Sequence, residues 1–204
     1  MGDRPIEFGL SHDGPVMFLT LFSPDGMNRL TRAKIVALRE EIENLASAQP
    51  GLPAMPLVIS GHGLFSVGAD LSEVAHLSGA EAVEFAQLGQ ALTRAIESYP
   101  ANVYAAITGY CMGGGLDLAL ACDYRIAHPH TVFGHRGAAL GLITGWGGTQ
   151  RLPRLVGRGR ALQMLVAAEK VTAKEALRIG LVDQLADDPD REAYALALRW
   201  ATAH

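Results

Sequence analysis

Residues 103–123 read Val-Tyr-Ala-Ala-Ile-Thr-Gly-Tyr-Cys-Met-Gly-Gly-Gly-Leu-Asp-Leu-Ala-Leu-Ala-Cys-Asp, and this stretch restricts the chain more than any other. An apolar run of strand length leads into three successive glycines, and helix-forming Leu and Ala residues follow directly. Three bare Cα atoms let another backbone or a ligand approach the amides at contact distance. The first N–H groups of the helix that opens there have no intrahelical partner and favour negative charge. A strand ending in such a turn belongs in an α/β fold, with an anion or oxyanion site at the turn.

Nucleotide motifs are the first alternative. A dinucleotide fingerprint counted from Gly113 and Gly115 needs glycine at 118, where Leu118 stands. A P-loop counted from Gly109 needs lysine at 115, which is glycine. Both fail. Close packing of a strand on a helix remains as a purely structural reading of the glycines.

The chain has 204 residues, 49% hydrophobic and 19% charged, the balance of one globular domain spanning 1–204, able to bury roughly 70% of its unfolded surface. A formal charge of −4 and a pI near 6.0 give no field that attracts nucleic acid or an anionic membrane. The two cysteines, Cys111 and Cys122, stand in apolar surroundings and read as small hydrophobes in a reducing compartment. The N-terminus lacks a signal-peptide pattern, and no apolar run reaches membrane-spanning length. A soluble cytoplasmic protein is expected.

Apolar runs at 5–10, 15–22, 56–60, 103–108, 123–127 and 181–185 predict strands. Helical periodicity lies between them. Thr31 is placed to cap a helix running to about Gln49, with Ile35, Leu38, Ile42 and Leu45 on one face. A second helix is predicted from Gly79 to Ser98, stopped by Pro100, and others begin near Gly114, Arg158, Thr172 and Asp188.

A second small-residue turn, Phe65-Ser66-Val67-Gly68-Ala69-Asp70-Leu71, follows the strand at 56–60. In open α/β sheets ligands gather beyond the carboxyl ends of strands, so the two loops can face one ligand. Ser66 fails the nucleophile-elbow pattern because Leu64 stands where glycine is required. It reads as a turn residue. His128, His130 and His135 lack a neighbouring Cys or Glu, so no metal site is assigned.

Taken in order, Met27-Asn28-Arg29-Leu30, Phe65–Leu71, Gly109-Tyr-Cys-Met-Gly-Gly-Gly115, Phe133-Gly134, Leu140–Gly157 and Ala173–Val182 resemble the crotonase superfamily, the enoyl-CoA hydratase/isomerase family. The resemblance covers residues 5 to 185. It implies a ClpP/crotonase-like fold of repeated ββα units with surrounding helices, the family's C-terminal helices being largely missing here. It also implies an acyl-CoA thioester substrate, coenzyme A being part of that substrate and no cofactor permanently bound. The backbone N–H groups of Ala69 and Gly114 match the family's oxyanion hole, and Asp117 matches a catalytic carboxylate. Arg29, Leu30, Ala69, Asp70, Leu71 and Ser72 match positions along the coenzyme A path. A homotrimer or hexamer is implied, though the short C-terminus removes helices that build it.

Hydratases of the family use two glutamates. Asp117 matches the first, and Gly137 matches the second, so that carboxylate is absent. Three readings follow: an enoyl-CoA hydratase/isomerase with Asp117 moving the proton, an acyl-CoA-binding or assembly subunit without catalysis, and naphthoate-synthase-like ring chemistry on aroyl-CoA. In the last, bicarbonate supplies the base and Gly145-Trp146-Gly147 carries the likeness. His135 and Arg136 read as solvated loop residues, and Trp146 as pocket wall or core.

Overall fold

The computed structural model describes residues 8–47 and 54–203. In chain order the elements are β1 (Phe8–Asp13), β2 (Val16–Leu21), β3 (Arg29–Leu30), α1 (Arg32–Ser47), β4 (Leu57–Gly61), β5 (Gly68–Ala69), α2 (Leu71–Val74) and α3 (Gly79–Glu97). There follow β6 (Val103–Ile107), β7 (Tyr110–Met112), α4 (Gly114–Ala121), β8 (Tyr124–Ala127), β9 (Val132–Gly134), a 3₁₀ turn (Gly137–Leu140) and α5 (Gly148–Val156). The last are α6 (Arg158–Val166), β10 (Val171–Thr172), α7 (Ala173–Arg178), β11 (Gln184–Leu185) and α8 (Pro189–Ala203).

The main sheet has six strands in the order β1-β2-β4-β6-β8-β11, antiparallel at β1/β2 and parallel elsewhere. Its central strands are buried on both faces, which is why they read as continuous apolar runs without alternation. On β6, Val103, Ala105 and Ile107 enter the large core, while Tyr104 and Ala106 face a smaller one. The smaller core is closed by Ala193 and Ala197 of α8. The larger core is filled from α1, α3 and α4, with Ile35, Leu38, Ile42, Leu92 and Ile96 almost fully buried.

Each of β4, β6 and β8 is followed by a short strand outside the main sheet and then by a helix. β5 pairs with β3, and β9 lies between β7 and β10. This is the repeated ββα architecture expected from the resemblance. The caps are as local chemistry requires: the Lys34 amide donates to Thr31 Oγ1 at 3.2 Å, and Ser78 with Glu81 forms a capping box at the start of α3.

Two sequence expectations are corrected. Of the strand expected at 181–185 only Gln184–Leu185 forms. Gly180 has φ +76°, and the Leu181 and Val182 amides donate to Ala176 O. These two apolar residues therefore close the end of α7 and are buried without being extended. The first strand begins among the described residues at Phe8 and continues to Asp13, because His12 and Asp13 still pair with Met17 and Val16. Residues 5–7, 48 and 49 of the expected elements lie outside the described residues.

Trp146 belongs to the core, 5% exposed, tilted against Phe85 with ring centroids 5.5 Å apart. A Cβ on Gly89, mid-way along α3, would lie 2.2 Å from Cδ1 and Cγ of the indole ring. In an open helix Gly→Ala gains roughly 0.5–1 kcal/mol, but here it overfills the core. Gly89→Ala is therefore expected to destabilise the protein by about 1–3 kcal/mol in urea unfolding, the reverse of the propensity effect.

Candidate active site

The two loops noted in the sequence meet. The Ser66 amide donates to Tyr110 O at 3.0 Å and the Met112 amide to Ser66 O at 2.9 Å, a parallel bridge beyond the ends of β4 and β6. Gly68 has φ +90°, and a Cβ on it would lie 2.7 Å from Met112 O and 2.8 Å from the Gly114 amide nitrogen. The backbone next to Ala69 thus touches the first amide of α4. A Cβ on Gly115 would lie 2.7 Å from that of Ser66. Any side chain at Gly68 or Gly115 drives the two loops apart.

Ser66 is fully buried and holds the first loop from within. Its hydroxyl donates to Asn28 O at 2.7 Å and accepts from the Gly68 amide at 3.1 Å. It is a turn residue, as the sequence suggested. Asn28, buried with φ +49°, donates through Nδ2 to the carbonyls of His62 and Leu64.

Asp117 lies in the first turn of α4, its side chain 1% exposed. The helix N-terminus favours its negative charge, but burial opposes it and wins: its pKa is pushed from 3.8 to about 7. Thr144 Oγ1 donates to Oδ2. That bond, the Arg151 charge and the Gly148 amide each pull the value back down. Oδ1 has no hydrogen-bond partner among the described residues.

His135 corrects the expectation of a solvated residue. Its side chain is 4% exposed, with Nε2 3.4 Å from Asp117 Oδ1 and no hydrogen-bond partner among the described residues. The neighbouring Arg136 is exposed, as expected. Burial lowers the His135 pKa to about 4, so the ring is neutral at pH 7 and the contact is not an ion pair. Chain direction explains the miss: β9 runs into His135 from the buried Phe133 and Gly134. Gly148 closes the other side with a bare Cα, since a Cβ there would overlap Asp117 Oδ1 and lie 2.9 Å from His135 Nε2.

Gly137 carries no carboxylate, and the loop is packed around that fact. A Cβ there would sit 2.9 Å from Leu142 O, whose own amide donates to Gly137 O. Among the residues expected along a coenzyme A path, Arg29 and Leu30 form β3 beside Gly68 and Ala69. Leu30 is fully buried, so it offers only backbone. Asp70 caps α2, accepting from the Ser72 amide and hydroxyl at 2.8 and 2.6 Å, and these bonds hold its pKa down. Arg29 pairs with Asp25. Leu71 is 53% exposed. Cys111 and Cys122 are buried, and burial pushes both thiols up, Cys122 to about 12, so they pack and do not react.

A mostly parallel sheet with ββα units, and two glycine turns in contact at the start of the helix that carries a buried carboxylate, define a crotonase-type fold. The family model described as enoyl-CoA hydratase/isomerase matches residues 12–203. The chain belongs to that family, within the crotonase superfamily. It is 41% identical over 179 residues to a crotonyl-CoA hydratase of Syntrophomonas wolfei, covering 86% of this chain and 67% of that protein. It is 36% identical over 178 residues to a short-chain-enoyl-CoA hydratase of Clostridium acetobutylicum, covering 87% and 68%. Among solved structures, DspI of Pseudomonas aeruginosa superposes with a TM-score of 0.90 at 38% identity, over 98% of this chain and 76% of that one. The chain thus spans about two thirds of the curated relatives it matches. No helix among the described residues is long and apolar enough to cross a membrane.

The buried pair makes stability depend on pH in opposite senses. Asp117 is protonated longer in the folded than in the unfolded state, so its contribution is full below pH 4 and is lost as pH rises to about 7. His135 resists protonation when folded, so its contribution is full above 6.5 and is lost as pH falls toward 4. The stability of Asp117→Asn relative to wild type should therefore climb between pH 4 and 7, by an amount of order 4 kcal/mol at most, then level off. Chemical denaturation at a series of pH values measures it; a flat difference would refute the raised pKa.

Proposed function

We propose that the protein is an acyl-CoA thioester enzyme of the hydratase/isomerase type, with the Ala69 and Gly114 amides as its oxyanion hole and Asp117 as the group that moves the proton. One observation carries this reading: the contact of Gly68 with Gly114 brings two loop backbones together beside a buried carboxylate whose Oδ1 has no partner among the described residues. The names of the hydratase relatives support the substrate class.

The chemistry follows from where charge develops. Addition of water to C3 of a 2-enoyl thioester, or removal of a proton from C2 of a 3-enoyl thioester, places negative charge on the thioester oxygen. Amides already aimed at that position stabilise it without reorganising, and each donor is worth roughly 3–4 kcal/mol. A carboxylate with a pKa of about 7 is balanced to take a proton and return it at neutral pH. Asp117 returns the proton to C2 in hydration, or delivers it to C4 in isomerisation.

Coenzyme A would run along the edge formed by β3, β5 and the start of α2, past Arg29, Leu30, Ala69, Asp70, Leu71 and Ser72. Gly137 favours a second reading, an acyl-CoA binder without turnover, and one assay separates the two. With crotonyl-CoA and longer enoyl-CoA substrates, Asp117→Ala is expected to lower kcat by about 10²- to 10⁴-fold while thioester binding persists. Wild-type kcat should rise with pH through about 7, as Asp117 loses its proton. Full activity in Asp117→Ala would overturn the assignment; binding without conversion by the wild type would establish the second reading.

A further inference from the structure

Asp117 is closed off from solvent by the protein itself. Its side chain is 1% exposed. Thr144 Oγ1 donates to Oδ2, and Oδ1 lies against His135 Nε2 and the bare Cα of Gly148. A proton on either oxygen passes to a substrate only when the two come within hydrogen-bond reach. One of the three covering groups therefore has to move, and they are anchored very differently. His135 is 3% exposed and follows directly on β9. Gly148 is buried and opens α5, whose first turn is closed by the Gln150 and Arg151 amides donating to Gly147 O at 2.9 and 3.0 Å. Trp146 is pinned as well: its carbonyl accepts from Thr93 Oγ1 at 3.0 Å and from Arg151 Nη1 at 2.9 Å.

Thr144 is held least. It is half-buried, between an exposed Ile143 and an exposed Gly145. Among the described residues neither Ile143 nor Thr144 makes a hydrogen bond through its backbone. Side chains alone tie this stretch down: Thr144 Oγ1 to Asp117, and Gln90 Nε2 to Gly145 O at 2.8 Å. The Trp146 amide reaches Thr144 Oγ1 only at 3.5 Å. Exposed backbone with so few bonds belongs to the part of a fold that opens most readily. On its other side the stretch ends at Leu142, whose amide donates to Gly137 O at 2.9 Å.

We propose that Thr144 is a latch on the carboxylate: when the thioester binds, the Ile143–Gly145 segment lifts between its anchors at Leu142 and Trp146, Thr144 leaves Oδ2, and Oδ2 becomes the oxygen that exchanges a proton with the substrate. This rests on the thioester reading above. Thr144 acts through Asp117 and is a positioning residue. A ligand shifts such an equilibrium only by binding one state better. The thioester does so because its acyl carbons fill the space that Thr144 vacates. Closed, the latch gives Oδ2 a donor and keeps water from the carboxylate until substrate arrives.

The test locks the segment shut. A Cβ on Gly145 would lie 3.0 Å from Ala86 Cβ on α3. A disulfide, whose Cβ atoms stand roughly 3.5–4.5 Å apart, bridges these positions after a shift of about 0.5–1.5 Å. The native thiols, Cys111 and Cys122, are buried and stay out of the reaction. In Ala86→Cys/Gly145→Cys, oxidation is expected to weaken binding of butyryl-CoA, a saturated thioester that cannot be hydrated, and to lower enoyl-CoA turnover, each by about tenfold or more. Dithiothreitol is expected to restore both. Equal binding and turnover in the oxidised and reduced forms overturn the proposal. Should the double variant fail to fold or to cross-link, Thr144→Val decides. Without the hydroxyl the closed state leaves a buried oxygen without its donor, so the open state gains and the Kd of butyryl-CoA is expected to tighten about three- to tenfold. Thr144→Ser is expected to return the Kd toward the wild-type value. An unchanged or weaker Kd in the valine variant overturns the latch and, where turnover persists, leaves the role of Asp117 standing. A wild type that binds no thioester would sink the reading beneath it, and the latch with it.

Discussion

The contact between the Ser66–Gly68 loop and the Cys111–Gly115 turn is the constraint on which the rest of the site depends. It is a backbone contact, with hydrogen bonds from Ser66 to Tyr110 and from Met112 to Ser66. Its closeness is possible only because Gly68 and Gly115 present no Cβ to the opposing loop. Everything beneath it serves that approach. The parallel pairing of β4 with β6 brings the two strand ends level, and the buried Ser66 hydroxyl ties the first loop to Asn28. The small strand pair β3/β5 then holds Ala69 beside Leu30. The proposed oxyanion hole of amides is a property of backbone placement, so the side chains around it have packing roles more than chemical ones.

Asp117 is where packing and chemistry oppose each other. Seven of the eight residues of α4 are buried, Asp117 among them, and a carboxylate in that environment is disfavoured in its charged form by more than the helix N-terminus returns. The local partners are too few to neutralise it. Thr144 serves one oxygen and leaves the other bare. A residue chosen only to complement the helix dipole would sit at the surface, where the same interaction carries no desolvation penalty. The burial of Asp117 is a stability cost, and a balanced proton affinity is what it provides.

The sequence made the central strands, the long helices and both glycine turns legible, because each follows from a local pattern: continuous apolar runs, a 3.6 period with caps, or bare Cα atoms at a strand end. The strands of two or three residues, β3, β5, β7, β9 and β10, escaped. They are too short to show a period, and their pairing is decided by neighbours far along the chain. Leu181 and Val182 misled for a related reason, since apolar composition reports burial and not extension. The fit of Trp146 over Gly89 is a contact across 57 positions that no local pattern encodes. His135 was misread because a histidine between a buried strand and an arginine carries no sign of which neighbour it follows.

His135 and Gly137 belong to one local solution. The chain leaves β9 still buried at His135, turns outward at Arg136, and at Gly137 packs its backbone against Leu142. A longer side chain at 137 would need the loop at 141–143 to move, whereas His135 already lies inside with its Nε2 directed at Asp117. The buried polar group in this part of the fold is His135, which directly follows β9 and stands two residues before Gly137. At pH 7 that group is a neutral imidazole, whereas the resemblance implies a carboxylate at position 137. Under the proposed function, with no carboxylate at Gly137, the proton of the reaction passes through Asp117. A carboxylate whose affinity for protons is balanced near neutrality suits that proposed role, and burial beneath Thr144 and Gly148 produces that balance.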